Sequence, residues 1–179
     1  IGVASESGNK TKSRIGLKDN IRNLIVFEAK MNSDLSPGIT HDKDVEKSKR
    51  LDQLARICLD TAWTIHNGPQ KMEDFRNVVI AIIYREDHIS EILRQYLESD
   101  NIKNNILEKI RLRFKKYEER NQYFDGLLIE PETKNYIADI IRHDNFRIAI
   151  TTWEEQIREL PDAYSNFYDL CKQANDKEK

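Results

Sequence analysis

The residues best placed to do chemistry are a carboxylate and an ammonium two positions apart, Glu28 and Lys30. They close the apolar run Leu24-Ile25-Val26-Phe27, whose β-branched and aromatic content predicts a strand buried on both faces. Side chains alternate along a strand, so Glu28 and Lys30 point to one side and Ala29 to the other. Opposite charges at the mouth of a buried strand are costly unless they pair or hold something. A hydrated Mg²⁺ ion carrying a phosphate ligand is one such occupant. The plain alternative is an exposed ion pair of little energetic weight, and Glu-x-Lys triplets are frequent in a chain that is 34% charged.

Positioning this pair requires a scaffold, and the chain has the length for one. Its 179 residues suit a single domain with a substantial core. Residues 1–12 read as a mobile polar lead-in, 13–174 as the domain and 175–179 as a tail. Residues 13–18 form a weak strand, and Asp19-Asn20 is a turn pair leading by a hairpin into the Glu28 strand. A polar loop closed by Pro37-Gly38 follows. From about 43 to 66, Leu51, Leu54, Ala55, Cys58, Leu59 and Ala62 recur on one helical face, with Gln53, Arg56 and Asp60 on the flanking stripe. Asn67-Gly68-Pro69 ends that helix.

Asn77–Tyr84 is the second apolar strand. A helix capped by Asp87 or Ser90 carries Ile92, Leu93, Tyr96 and Leu97. Another spans 102–119, with Ile106, Ile110, Leu112 and Phe114 apolar. Its basic end, from Lys109 to Arg120, with Tyr117 and Tyr123 nearby, reads as a solvated face rather than a phosphate track because Glu118 and Glu119 intervene. Residues 124–130 read as a short strand or loop. Residues 132–143 form a helix with Tyr136, Ile137, Ile140 and Ile141 inward, and 146–151 a third strand. Thr152 caps a helix over 153–160 with Glu155 closing a capping box, and 162–174 is the terminal helix. Strands separated by helices predict a mixed sheet with helices on both faces.

Several chemistries lack a pattern. His41, His66, His88 and His143 show no zinc spacing. Glycine phosphate loops, dinucleotide fingerprints and nucleophile elbows are absent from the sequence. Ser33 and Ser36 suit helix capping better than phosphate binding. A net charge of −2 gives no global basic field. Cys58 and Cys171, far apart, read as reduced thiols of a cytoplasmic protein. No apolar run reaches transmembrane length, which predicts no membrane partner.

FEAKMNSDLSPGIT, followed on the next helix by DQLAR, resembles the PD-(D/E)xK nuclease superfamily, and in particular a group of bacterial proteins with restriction-endonuclease-like folds. TTWEEQIREL after the late strand is similar to the same group, so the likeness spans about residues 13–160. The resemblance implies an α/β restriction-endonuclease-like domain, a mixed central sheet flanked by helices, that hydrolyses DNA phosphodiesters with Mg²⁺ or Mn²⁺. It implies Glu28 as a metal ligand, the backbone carbonyl of Ala29 as the next, Lys30 beside the attacking water and scissile phosphate, and Gln53 in support. Homo-oligomerisation stays open.

The sequence departs from the family in one place. An acid, usually Asp, is expected on the strand before Glu-x-Lys, near Ser13-Arg14, and neither residue is acidic. Asp19 in the turn and Glu6 in the lead-in are the substitutes, with Glu6 favoured on topological grounds. The rival reading is a domain of the same fold that binds DNA or protein without cleaving.

Overall fold

The structure, a computed structural model, describes residues 5–6, 15–17, 20–30, 35, 51–119, 130–158 and 160–176. Two short strands come first, β1 (Ser5–Glu6) and β2 (Ile15–Gly16). β3 (Asn23–Ala29) is followed by α1 (Gln53–His66), a 3₁₀ turn at Met72–Asp74, and β4 (Asn77–Tyr84). Three helices then intervene, α2 (Glu91–Leu97), α3 (Ile102–Glu119) and α4 (Pro131–Arg142), before β5 (Phe146–Thr152), α5 (Trp153–Ile157) and α6 (Asp162–Asp176).

The main sheet has the order β3-β4-β5 and is parallel throughout. Parallel neighbours cannot be joined by a tight hairpin, so each connection must cross over, here through helices. The continuous apolar run of β4 places it in the centre, where all but Asn77 and Val79 are buried. Leu24, Val26, Val78, Ile80, Ile82, Phe146, Ile148 and Ile150 belong to one core with the inner faces of α1, α3 and α4. Along β3 burial alternates strictly, and the opposite positions Ile25 and Phe27 stay 59% and 61% exposed. Arg147 and Ala149 of β5 lie exposed on that second face as well.

The chain is thus α/β with a small sheet and helices, and several local expectations change. Among the described residues the expected hairpin into β3 is not formed: β2 pairs antiparallel with β1, Glu6 opposite Ile15, although Asn20 does turn the chain with φ 66°. A turn-prone pair sets where the chain bends, not which edge the next strand joins. The lead-in is correspondingly not featureless, since it supplies β1. Among the described residues the main sheet is parallel rather than mixed, and α1, α3 and α4 share a core with its Val78, Ile80 and Ile82 face. α1 starts at Gln53, because Asp52 is extended with ψ −178° and caps it; residues 43–50 of the expected helix lie outside the described residues. Ser90, not Asp87, caps α2, and Leu97 and Tyr136 turn outward. α6 continues to Asp176, into the expected tail. The 124–130 segment apart from Glu130, which precedes α4 as its N-cap, lies outside the described residues.

Candidate active site

The site begins with one hydrogen bond that prolongs a ladder. The Lys30 amide donates to the Ile83 carbonyl at 2.7 Å, so β3 keeps its register one residue beyond Ala29. Lys30 therefore projects to the same side as Glu28, and its ammonium lies 2.9 Å from Glu28 Oε1. Gln53, the first residue of α1, donates from Nε2 to the same oxygen at 2.7 Å. Carboxylate, ammonium and carboxamide, separated by up to 25 positions in the chain, meet at one atom. The side chains of Lys30 and Glu28 are 14% and 25% exposed, a cleft edge rather than open surface.

Gln53 reaches Glu28 because α1 starts where it does. Asp52 Oδ1 accepts the Ala55 amide at 3.0 Å, the usual capping bond. Its other oxygen accepts from Tyr96 Oη at 2.7 Å and Lys109 Nζ at 2.6 Å. Lys109 also donates to Tyr96 Oη at 3.0 Å and lies 4.3 Å from the Tyr96 ring centroid. Asp52 and Lys109 are only 2% and 4% exposed. Burial, and then the Asp52 charge, push the Tyr96 hydroxyl and the Cys58 thiol well above their ordinary ranges, so both stay protonated. Lys109 thus departs from the expected solvated stripe: it is an interior ion-pair partner. The available signal was its spacing, since Lys109 falls on the face of Ile106, Ile110 and Phe114, all buried.

Both bonds to Glu28 fall on Oε1, and Oε2 accepts none from a described residue. Mg²⁺ prefers oxygen ligands and binds proteins through one or two carboxylates plus water and substrate phosphate. Glu28 Oε2 and the carbonyl of Ala29 suit that donor set. Backbone groups alternate in direction along a strand, and Lys30 bonds toward β4, so the Ala29 carbonyl faces the other edge of β3.

Among the described residues no second carboxylate is placed beside Glu28. Across the sheet from Glu28 stand Ile82 and Ile150, both apolar, so the neighbouring strands supply no such group. Asp19 lies outside the described residues, and for Glu6 only its backbone pairing in β1 is described. Among the described residues no group of three or more His, Cys, Asp and Glu side chains could hold a metal ion.

The carboxyl ends of the three strands share a rim, the usual place for ligands in open α/β sheets. Beyond Glu28 and Lys30 this rim carries a second polar cluster that docks α6. Arg85, buried at the end of β4, holds Asp87 through two bonds of 2.9 and 2.8 Å. Tyr168 donates to Glu154 at 2.7 Å, and Lys172 lies 3.5 Å from Glu154 and 3.9 Å from Asp87. The expected capping box is present, Thr152 Oγ1 accepting from the Glu155 amide and Glu155 from the Thr152 amide.

Other candidates fall elsewhere. Ser33, Ser36, His41, Tyr117 and Tyr123 lie outside what is described of their side chains. His66 packs by Trp63 and Tyr136, and His143 Nδ1 accepts the Asn145 amide at 3.1 Å. A polar cavity of about 980 Å³, lined in part by Arg22, Arg76, Gln70 and Asn145, sits at the opposite, amino-terminal ends of the strands. No described helix is long and apolar enough to cross a membrane.

No protein-family model matches the chain, and neither a curated protein nor a solved structure matches it.

Proposed function

We propose that the protein is a metal-dependent nuclease hydrolysing phosphodiester bonds in DNA, with a restriction-endonuclease-like arrangement of its core. The observation that carries this reading is the meeting of Glu28, Lys30 and Gln53 at the carboxyl end of a parallel strand. Glu28 and the Ala29 carbonyl would hold Mg²⁺ or Mn²⁺. Bound there, the ion would lower the pKa of a water and offset charge on the phosphate. Gln53 and Lys30 clamp one carboxylate oxygen and so orient the other toward a ligand. Lys30 Nζ has three N–H donors. One serves Glu28, leaving two to orient a nucleophile or to stabilise charge that grows on the phosphate oxygens.

The test is cleavage of duplex, single-stranded and modified DNA with Mg²⁺ or Mn²⁺ and with chelator. Glu28→Gln is expected to abolish cutting, because a neutral amide ligates the ion poorly. Lys30→Ala is expected to cut ~10²–10³-fold more slowly, as loss of one preorganised stabilising group does, while retaining metal binding. Equal, chelator-insensitive cutting by wild type and Glu28→Gln sinks the proposal. The apolar Ile82 and Ile150 beside Glu28 favour a second reading, a non-cleaving DNA-binding or protein-interaction domain. DNA binding or partner capture without cleavage in any metal is its signature.

A further inference from the structure

We propose that Asp52 is a positioning residue for the Glu28 site: anchored by Lys109 and Tyr96, it sets the first turn of α1 so that Gln53 meets Glu28. Capping α1 requires one side-chain oxygen, which Ser, Thr or Asn would supply. Asp52 uses Oδ1 for the cap and presents a second oxygen, Oδ2, to Tyr96 of α2 and Lys109 of α3. Groups from three helices therefore converge on a carboxylate adjacent in sequence to Gln53.

Stability alone does not account for this arrangement. Taking both charges out of water costs about as much as their attraction returns, and buried pairs are often replaceable by apolar side chains without loss. In some proteins such a pair instead fixes a unique geometry, and here the geometry it would fix is the start of α1. Glutamine has three rotatable bonds and loses rotamer entropy when held. Fixing the backbone at the start of α1 removes part of that search, so the Gln53 carboxamide arrives at Glu28 Oε1 already oriented. Lys109 and Tyr96 act through Asp52, and none of the three contacts Glu28 in the bonds described.

The test reads Gln53 directly and cleavage separately, because only the second readout rests on the nuclease reading. The Gln53 side-chain amide signals in a ¹⁵N spectrum are identified by their loss in Gln53→Met. In Asp52→Ala and in Lys109→Met these signals are expected to move toward those of a solvated glutamine. Their hydrogen exchange is expected to quicken by up to about tenfold, the population change that one lost hydrogen bond permits. Lys109→Met keeps the cap, and Tyr96→Phe removes only a hydroxyl, so these decide the matter if Asp52→Ala does not fold.

In cleavage, Lys109→Met is expected to lower kcat with little change in KM. The Lys109→Met/Gln53→Ala double variant is expected to be no slower than Gln53→Ala alone, the non-additivity of groups acting through one another. Unchanged Gln53 signals in the folded variants overturn the proposal, as does an additive cycle. A wild type that never cuts removes the nuclease reading, and the Gln53 signals still decide whether Asp52 positions it.

Discussion

Glu28 and Lys30 could be singled out from their place at the end of an apolar run, and the structure puts both on one side of β3 with Gln53 against them. Asp52 and Lys109 could not be singled out so readily. A lysine inside a run of six basic residues looks solvated, and only the phase of α3 shows that it turns inward. The two kinds of charged residue should respond differently to substitution. Lys30 and Glu28 are partly exposed, so their ion pair contributes ~1 kcal/mol or less, and urea unfolding of Lys30→Ala should track wild type. At the other extreme, Cys58 is fully buried and its thiol is pushed upward by that burial and by Asp52. Thiolate is the reactive form. Mass spectrometry after alkylation at pH 8 should therefore find Cys58 unmodified in the folded protein and labelled only in denaturant, with the half-buried Cys171 labelled first.

Secondary elements with strong periodicity were readable. β4 and α3 span the residues that their patterns indicate, and the Thr152/Glu155 capping box is formed. What periodicity could not supply was strand pairing. Two-residue strands such as β1 and β2 have too little pattern to specify a neighbour, and β3 reads as buried on both faces although one is exposed and the other only partly buried. This difference is measurable. Ile80→Ala on β4 should cost ~2–5 kcal/mol by chemical denaturation, as buried large-to-small changes do. Ile25→Ala, on the exposed face, should cost far less. Equal losses would show that both faces are covered in solution.

The α6 helix offers a pH test at the same scale. The Arg85 hydrogen bonds hold the Asp87 carboxyl below its ordinary range. Burial opposes the same shift at Glu154, but bonds from Tyr168 and the backbone, with the Lys172 charge, outweigh it. A carboxyl lowered on folding contributes stability above its unfolded pKa and loses it as pH falls through the folded value. Docking of α6 should thus persist from neutral pH to about pH 4, the ordinary carboxylate range, and weaken below it. Trp153 lies 6.2 Å from Tyr168 between ring centroids and reports the event. In a Trp63→Phe background its emission should shift to the red on acidification before far-ultraviolet ellipticity is lost. Simultaneous loss of both signals would contradict a separately docked helix.

For the whole molecule, the alternation of strand and helix patterns predicts an α/β chain, which the structure has, and also a mixed sheet, whereas the described strands are parallel. Element order constrains connections, not direction or layer. The described strands run parallel, and helices α1, α3 and α4 cover one face. Parallel sheets are ordinarily covered on both faces, so Ile25, Phe27 and Ala149 form an unusual surface for this class.

The parallel order also dictates how the protein must assemble in time. Asn23 pairs with Asn77, and Val78 with Phe146, so every rung of the main ladder joins residues more than 50 positions apart. Such contacts require closing long loops before any reward arrives, which makes folding slow. Glu28, Lys30 and Gln53 all lie in the first third of the chain, yet the ladder bond that holds Lys30 comes from β4 and the anchor of Asp52 from α3. A nascent chain ending before β4 would contain every residue of the triad and none of its geometry. On refolding from denaturant, the native Gln53 amide signals should return only with the slowest phase, well after helical ellipticity has recovered.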